Sequence, residues 1–281
     1  MGTRGGYQQF SDISMKNATA GREPGNLVAG TLCALFGGAL LLWAARGPGN
    51  DTSGVAHRLS TQLRLPSDVS GLPLSPFEMA FALAAIVVGL LAVLGRPAAR
   101  AGVLLLASFL LFTSGRLLID LLPEARRASL GDLTGLALAV DLIGLLVAVL
   151  LFALLLRSEE SGESRLAKSS TAVIVTGAIV LATGSARLLW YLLLAGIPGP
   201  SDANVHRFAL LVAVPVVGLL AVLRRRAARG TAYTLTGMVL IVEVGSVFNL
   251  PALLSTPLAV TLLMLPILPL LALVIALARA R

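Results

Sequence analysis

Four ionisable side chains stand inside long apolar stretches of this chain: Arg116, Asp141, Arg187 and Glu243. Asp120 lies one helical turn beyond Arg116, on the same face of a helix. Charges in such surroundings need partners, since even one at the centre of a bilayer costs about 2.5–3.5 kcal/mol. Two arginines match two acids, with Asp120 as a further acceptor, so Arg116, Asp120, Asp141, Arg187 and Glu243 are expected to form a mutually neutralised network. Carboxylates held in a poorly hydrated place can take up and release a proton or a cation. Glu243, about twelve residues into its stretch and the deepest of the set, is expected to act in this way at the foot of a polar outer vestibule. The structural alternative uses the same charges as ion pairs that fix helix packing, with the arginine heads reaching toward the interface.

Both histidines, His57 and His206, precede an arginine and lie after an apolar stretch. Around them Pro48-Gly49 with Asp51 matches Pro198-Gly199 with Asp202. Paired Asp and His groups could hold a divalent ion or an anionic headgroup, or sense pH. Pro66-Ser67-Asp68 matches Pro200-Ser201-Asp202 equally well in a different register, and solvated loop histidines are the simpler reading. No metal or cofactor site is expected. Cys33 is the lone cysteine, which excludes an intrachain disulfide and a cysteine-built metal site. The chain has no glycine-rich phosphate loop, no HExxH, no Gly-x-Ser-x-Gly, no paired histidines in its apolar stretches and no lysine in the last of them. These absences count against an ATPase, an intramembrane metalloprotease, a serine hydrolase, a haem-b protein and a retinal protein.

The elements that must position the charged groups are membrane helices. Of 281 residues, 57% are hydrophobic and 13% charged, with a mean hydropathy of +0.90. A soluble domain carries about 25% charged residues, so lipid must be the solvent for much of this chain. The formal net charge of +8 does not point to nucleic acid, because the basic residues fill short breaks between apolar runs. A helix needs about 20 mostly apolar residues to cross a bilayer core. Eight stretches meet that length: 27–46, 77–95, 101–123, 133–157, 171–196, 207–224, 231–250 and 257–279. A β-barrel would alternate apolar and polar positions, which these stretches do not. The fold class expected is all-α, a polytopic membrane helix bundle; the last two stretches could instead make a hairpin broken at Pro251 and Pro257.

Residues 87–100 read VVGLLAVLGRPAAR and residues 216–229 read VVGLLAVLRRRAAR, identical at twelve of fourteen positions. At the same offset of 129, Asp120-Leu121 falls on Asn249-Leu250, Ser114 on Glu243 and Arg116 on Gly245; upstream, Leu41-Leu42-Trp43 matches Leu188-Leu189-Trp190. The expected organisation is two parallel copies of a four-helix unit, 27–157 and 171–281. A polar tail, 1–26, and a linker, 158–170, complete the division. The tail does not read as a signal peptide, so the first span is expected to target the chain. A long outer loop, 47–76, carries Val55, Leu59 and Leu63 at four-residue spacing, which suits a short interfacial helix. With both termini in the cytoplasm, fourteen of 22 Lys and Arg fall in inner segments and six in outer ones, the bias that sets orientation. Abundant Ala, Leu, Gly and Arg with only Lys16 and Lys168 suggests a bacterial inner membrane.

Small residues at Ala178, Ala182 and Ala186, and at Ala34 and Gly38, suit close helix packing. Pro215 and Pro251 could open broken helices. The function expected first is a permease or channel-like protein with a polar outer vestibule between two related halves. Second is a non-catalytic membrane subunit that anchors or assembles a larger complex, in keeping with spans that carry almost no interior polar groups. Third is a membrane-embedded enzyme acting on lipids, built on Asp141, Glu243 and the two arginines. The partners implied are the bilayer and either other membrane subunits or a second copy.

Overall fold

A computed structural model describes residues 24–46, 76–120, 134–157, 171–195, 205–249 and 257–280. Among them are eight helices and no strand: α1 Pro24–Arg46, α2 Pro76–Val93, α3 Pro97–Asp120, α4 Thr134–Arg157, α5 Thr171–Ala195, α6 Val205–Val222, α7 Ala227–Asn249 and α8 Pro257–Arg279. The interfacial helix expected around Val55, Leu59 and Leu63, the linker 158–170 and most of the tail lie outside the described residues; Pro24 to Asn26, assigned to the tail, begin α1. Four helices open on proline, where a missing N–H costs nothing and the fixed φ suits a helix. Three helices contain stretches long and apolar enough to cross a membrane: Pro24–Leu42, Pro97–Arg116 and Thr171–Leu194. Four others carry shorter apolar stretches. The described chain is thus compatible with a helical membrane bundle.

Helix ends follow the apolar stretches within four residues, and the largest differences are instructive. Helices α3 and α7 begin at Pro97 and Ala227, four residues before the apolar runs do. The reason is a charge that belongs inside the helix. Arg100 donates through Nη2 to the Leu155 carbonyl near the end of α4. Arg229 donates through Nη2 to the carbonyls of Leu277, at 3.0 Å, and Ala280, at 3.4 Å, at the end of α8. Each guanidinium caps carbonyls that a helix C-terminus leaves unsatisfied, so neither arginine has to end its own helix.

The α2–α3 and α6–α7 connections are tight turns of one design. In the first, the amide of Gly95 donates to Ala92 and that of Arg96 to Leu91, both at 2.9 Å. In the second, Arg224 donates to Ala221 at 3.0 Å and Arg225 to Leu220 at 2.9 Å. These are the paired bonds of a Schellman motif, which needs a left-handed residue after the last helical one. Gly95, at φ 73°, and Arg224, at φ 56°, fill that position. The end of the bundle carrying both turns is called the turn end below.

Helix neighbours form two closed rings. Helix α1 packs on α2, α2 on α3, α3 on α4 and α4 on α1; the same four contacts join α5 to α8. The seam between the rings is α7 against α3 and α2. Glycine permits the closest approaches. At Gly230 a Cβ would collide with the Ala98 carbonyl, and at Gly102 with Thr234 Oγ1, so both hold the seam shut. Within the first ring, a Cβ at Gly30 would lie 2.7 Å from the Gly89 carbonyl and one at Gly37 2.6 Å from that of Ala82. Within the second, Gly177 and Gly184 sit at the same seven-residue spacing against Gly218, Ala221 and Val214. Large side chains fill what remains, with Leu106, Leu151 and Leu155 fully buried in one ring and Leu235, Leu270, Leu273 and Leu277 in the other.

Two expectations about packing are corrected. The row Ala178, Ala182 and Ala186 is exposed, and the row that packs is Gly177 and Gly184, one or two positions away on the helix. Gly38 meets nothing within 4 Å, whereas Ala34 does touch Gly89. Helix α6 runs unbroken through Pro215, whose ring instead lies against the Gly184 backbone. Pro251 lies outside the described residues.

Candidate functional site

At the end opposite the turns, α2, α3 and α4 bring polar groups together. Helix α2 enters on Pro76, and Phe77 is buried edge-on against Phe109 of α3, with ring centroids 5.7 Å apart and planes at 82°. That contact fixes the first turn of α2, and the next residue is Glu78. Helix α4 approaches α3 closely because Gly144 has no side chain; a Cβ there would collide with Ser114 Oγ. One turn earlier on α4 is Asp141. Ser114 and Asp141 are buried, at 4% and 8% exposure, and Asp141 is the single buried acid among the described residues. Asp141 is set apart chiefly by its burial, and Glu78, at the start of α2, is close enough to act on it electrostatically. Two carboxylates from different helices thus share one end of the first ring, with a buried hydroxyl on the helix between them.

Arg116, two residues beyond Ser114 on α3, is half-buried. In the second ring Arg187 on α5 and Glu243 on α7 are also half-buried. Arg187 lies one turn before Tyr191, whose ring meets Phe208 of α6 at 6.0 Å. Asp120 and His206 fall within helices α3 and α6, but their side chains lie outside the described set; His57, Asp51 and Asp202 lie wholly outside it. Among the described residues no three His, Cys, Asp or Glu side chains gather as a metal site would require.

No family matches. Neither a curated protein nor a solved structure matches either, so the site stands on its own chemistry.

Glu78 is the residue that sequence reasoning passed over. It is the single acid of α2 and sits in that helix's first turn, where a charge reads as an interfacial group. Its significance comes from α4, which carries Asp141 to the same end of the ring, where Glu78 acts on it electrostatically. A signal existed in the level of the two acids: both lie near the same end of antiparallel neighbours of α3.

Thr236 Oγ1 is buried without a hydrogen bond, but seven other hydroxyls are satisfied locally. Thr31, Ser108, Thr113, Thr176, Thr183, Thr231 and Thr234 each donate to a carbonyl one turn back in their own helix. This is how a hydroxyl is satisfied in apolar surroundings, and it leaves the acidic end as the polar feature of the first ring. Oxygen donors of this kind suit a proton or a hard cation.

Proposed function

We propose that the chain is an eight-span membrane protein made of two parallel copies of a four-helix unit, and that it works as a cation-conducting or cation-coupled permease entered at the Glu78–Asp141 end. The observation that carries the functional reading is the burial of Asp141 at the end of the first ring that also holds Glu78. Carboxylates gathered in a place of low polarity can take up a proton or a cation, which is what a coupling site offers. Ser114 adds a neutral oxygen, and Glu243, at the position in α7 that aligns with Ser114, extends the acidic character to the second copy.

Several features support the two-copy reading. Twelve of fourteen residues recur at the offset of 129, and four turn hydrogen bonds recur at that offset. Arg100 and Arg229 cap equivalent helix ends. Gly30 and Gly37 map onto Gly177 and Gly184 at an offset of 147, the register that also maps Trp43 onto Trp190. The Lys and Arg distribution supports placing the turn end and both termini in the cytoplasm, with the acidic end outside.

The test is flux in proteoliposomes holding the purified protein under gradients of H⁺, Na⁺ and K⁺. Wild-type protein is expected to conduct or to couple to one of them. Asp141→Asn and Glu243→Gln should abolish that flux, and Glu78→Gln should weaken it, with all three remaining monodisperse. Unchanged flux in Asp141→Asn, or no flux in wild type under any gradient, overturns the reading. A membrane subunit is the second reading, favoured by the exposed Ala178, Ala182 and Ala186 row on α5, where another helix could come close. It is recognised by partners that co-purify in mild detergent and by loss of the chain in their absence.

A further inference from the structure

A groove of about 460 Å³ runs between α2 and α7 at the turn end. Its long walls are apolar: Leu83, Val87 and Leu91 from α2 face Gly237 and Ile241 of α7. Val87, at 56% exposure, with Leu91 and Tyr233 opens it sideways onto the outer surface of the bundle rather than into the core. From Arg229 to Ile241 the α7 wall rises about 18 Å, close to the ~15 Å depth of one leaflet. The closed end is different in kind. Arg96, exposed and on the turn, lines it together with Arg229, Tyr233 and the first residues of α3. Arg229 turns its Nη2 to the end of α8, while its Nε is a buried donor without a hydrogen bond. The N-terminus of α3 adds its positive dipole end. Arg224, Arg225 and Arg226, all exposed, stand on the neighbouring turn. An apolar trough as deep as one leaflet, ending in positive charge at the level of the headgroups, fits one kind of molecule.

We propose that this groove binds an anionic glycerophospholipid of the turn-end leaflet, with its phosphate at Arg96 and one acyl chain lying along Leu83, Val87 and Ile241. Complementarity of charge at one end and of apolar length along the rest selects that occupant over a free anion, which would have no use for the walls, and over a zwitterionic lipid, which gains less from the arginines. The inference needs the chain to sit in a bilayer but is independent of what it transports. Gly237 lines the wall with open space where its Cβ would be. A leucine at that position therefore fills the groove without striking the backbone.

The test is native mass spectrometry of protein purified in a neutral detergent and titrated with phosphatidylglycerol or phosphatidylcholine. Wild type is expected to retain one phosphatidylglycerol in preference to phosphatidylcholine. Arg96→Gln should lower phosphatidylglycerol retention about tenfold, as loss of a charged hydrogen bond does, and leave phosphatidylcholine unchanged. Gly237→Leu should lower both, and Gly38→Leu, on a face with equally open space away from the groove, neither. Equal retention of the two lipids by wild type overturns the proposal, as does retention indifferent to both groove substitutions. A doubled protein mass in place of the lipid adduct, reverting to a single mass in Gly237→Leu, also overturns it and assigns the groove to a second copy.

Discussion

Arg224 holds a backbone angle that glycine adopts freely and that costs an L-residue about 1–2 kcal/mol. Gly95 occupies the same position in the other turn, with the same two hydrogen bonds around it. The side chain of Arg224 is exposed, so replacing it removes little except charge. Arg224→Gly should therefore stabilise the protein by about 0.5–1 kcal/mol, and Gly95→Ala should destabilise it by a similar amount. Thermal unfolding in mild detergent, followed by the loss of the monodisperse peak, reads both. A fall in stability for Arg224→Gly would mean that the arginine contributes more through its charge than it loses through its backbone. At this scale the sequence was informative about the turns, because Gly95 against Arg224 is one of only two mismatches in the repeated segment. It was silent about Glu78, whose role depends on Asp141 arriving from a helix more than sixty residues away.

Each helix here is apolar around most of its circumference, and that limits what its sequence can say about facing. Length and position were legible, since apolar runs and the prolines and arginines between them mark ends. Which face packs was not, because lipid and protein interior are equally apolar and no amphipathic stripe divides them. The misassigned alanine row of α5 shows the consequence: small residues occur on both its packed and exposed faces, and only the partner helix chooses. The choice is made by glycine. A Cβ at Gly89 would come within 2.6 Å of the Gly30 carbonyl and 2.7 Å of the Ala34 amide nitrogen, whereas one at Gly38 meets nothing within 4 Å. Gly89→Val should destabilise by about 1–3 kcal/mol or more, since backbone cannot yield as a side chain can. Gly38→Ala should be neutral or add up to about 1 kcal/mol through helix propensity. The same thermal assay separates them, and equal effects from the two would show that α1 and α2 do not meet on this face.

The two rings meet where α7 packs on α3 and on α2, and no contact of comparable extent joins α3 to α6 among the described helices. The proposed two-copy organisation has a consequence for topology. An even number of crossings per unit carries both copies into the membrane from the same side, so the two turns must share one face of the bilayer. An odd number would put them on opposite faces and would make the second unit an inverted copy, which could not repeat the Arg100 and Arg229 caps at the same end of one bundle. Leu94 and Leu223 stand 129 residues apart at the turns, exposed at 72% and 52%, and Ile119 is exposed near the other end of α3. In a Cys33→Ser background, Leu94→Cys and Leu223→Cys should react with a membrane-impermeant maleimide only once cells are opened, and Ile119→Cys in intact cells. These positions carry no charge, so the substitutions leave the Lys and Arg that set orientation untouched. Labelling of 94 and 223 together from outside would reverse the orientation but keep the parallel copies. Labelling from opposite sides would remove them, and with them the reason for expecting Glu243 and Asp141 to open toward the same compartment.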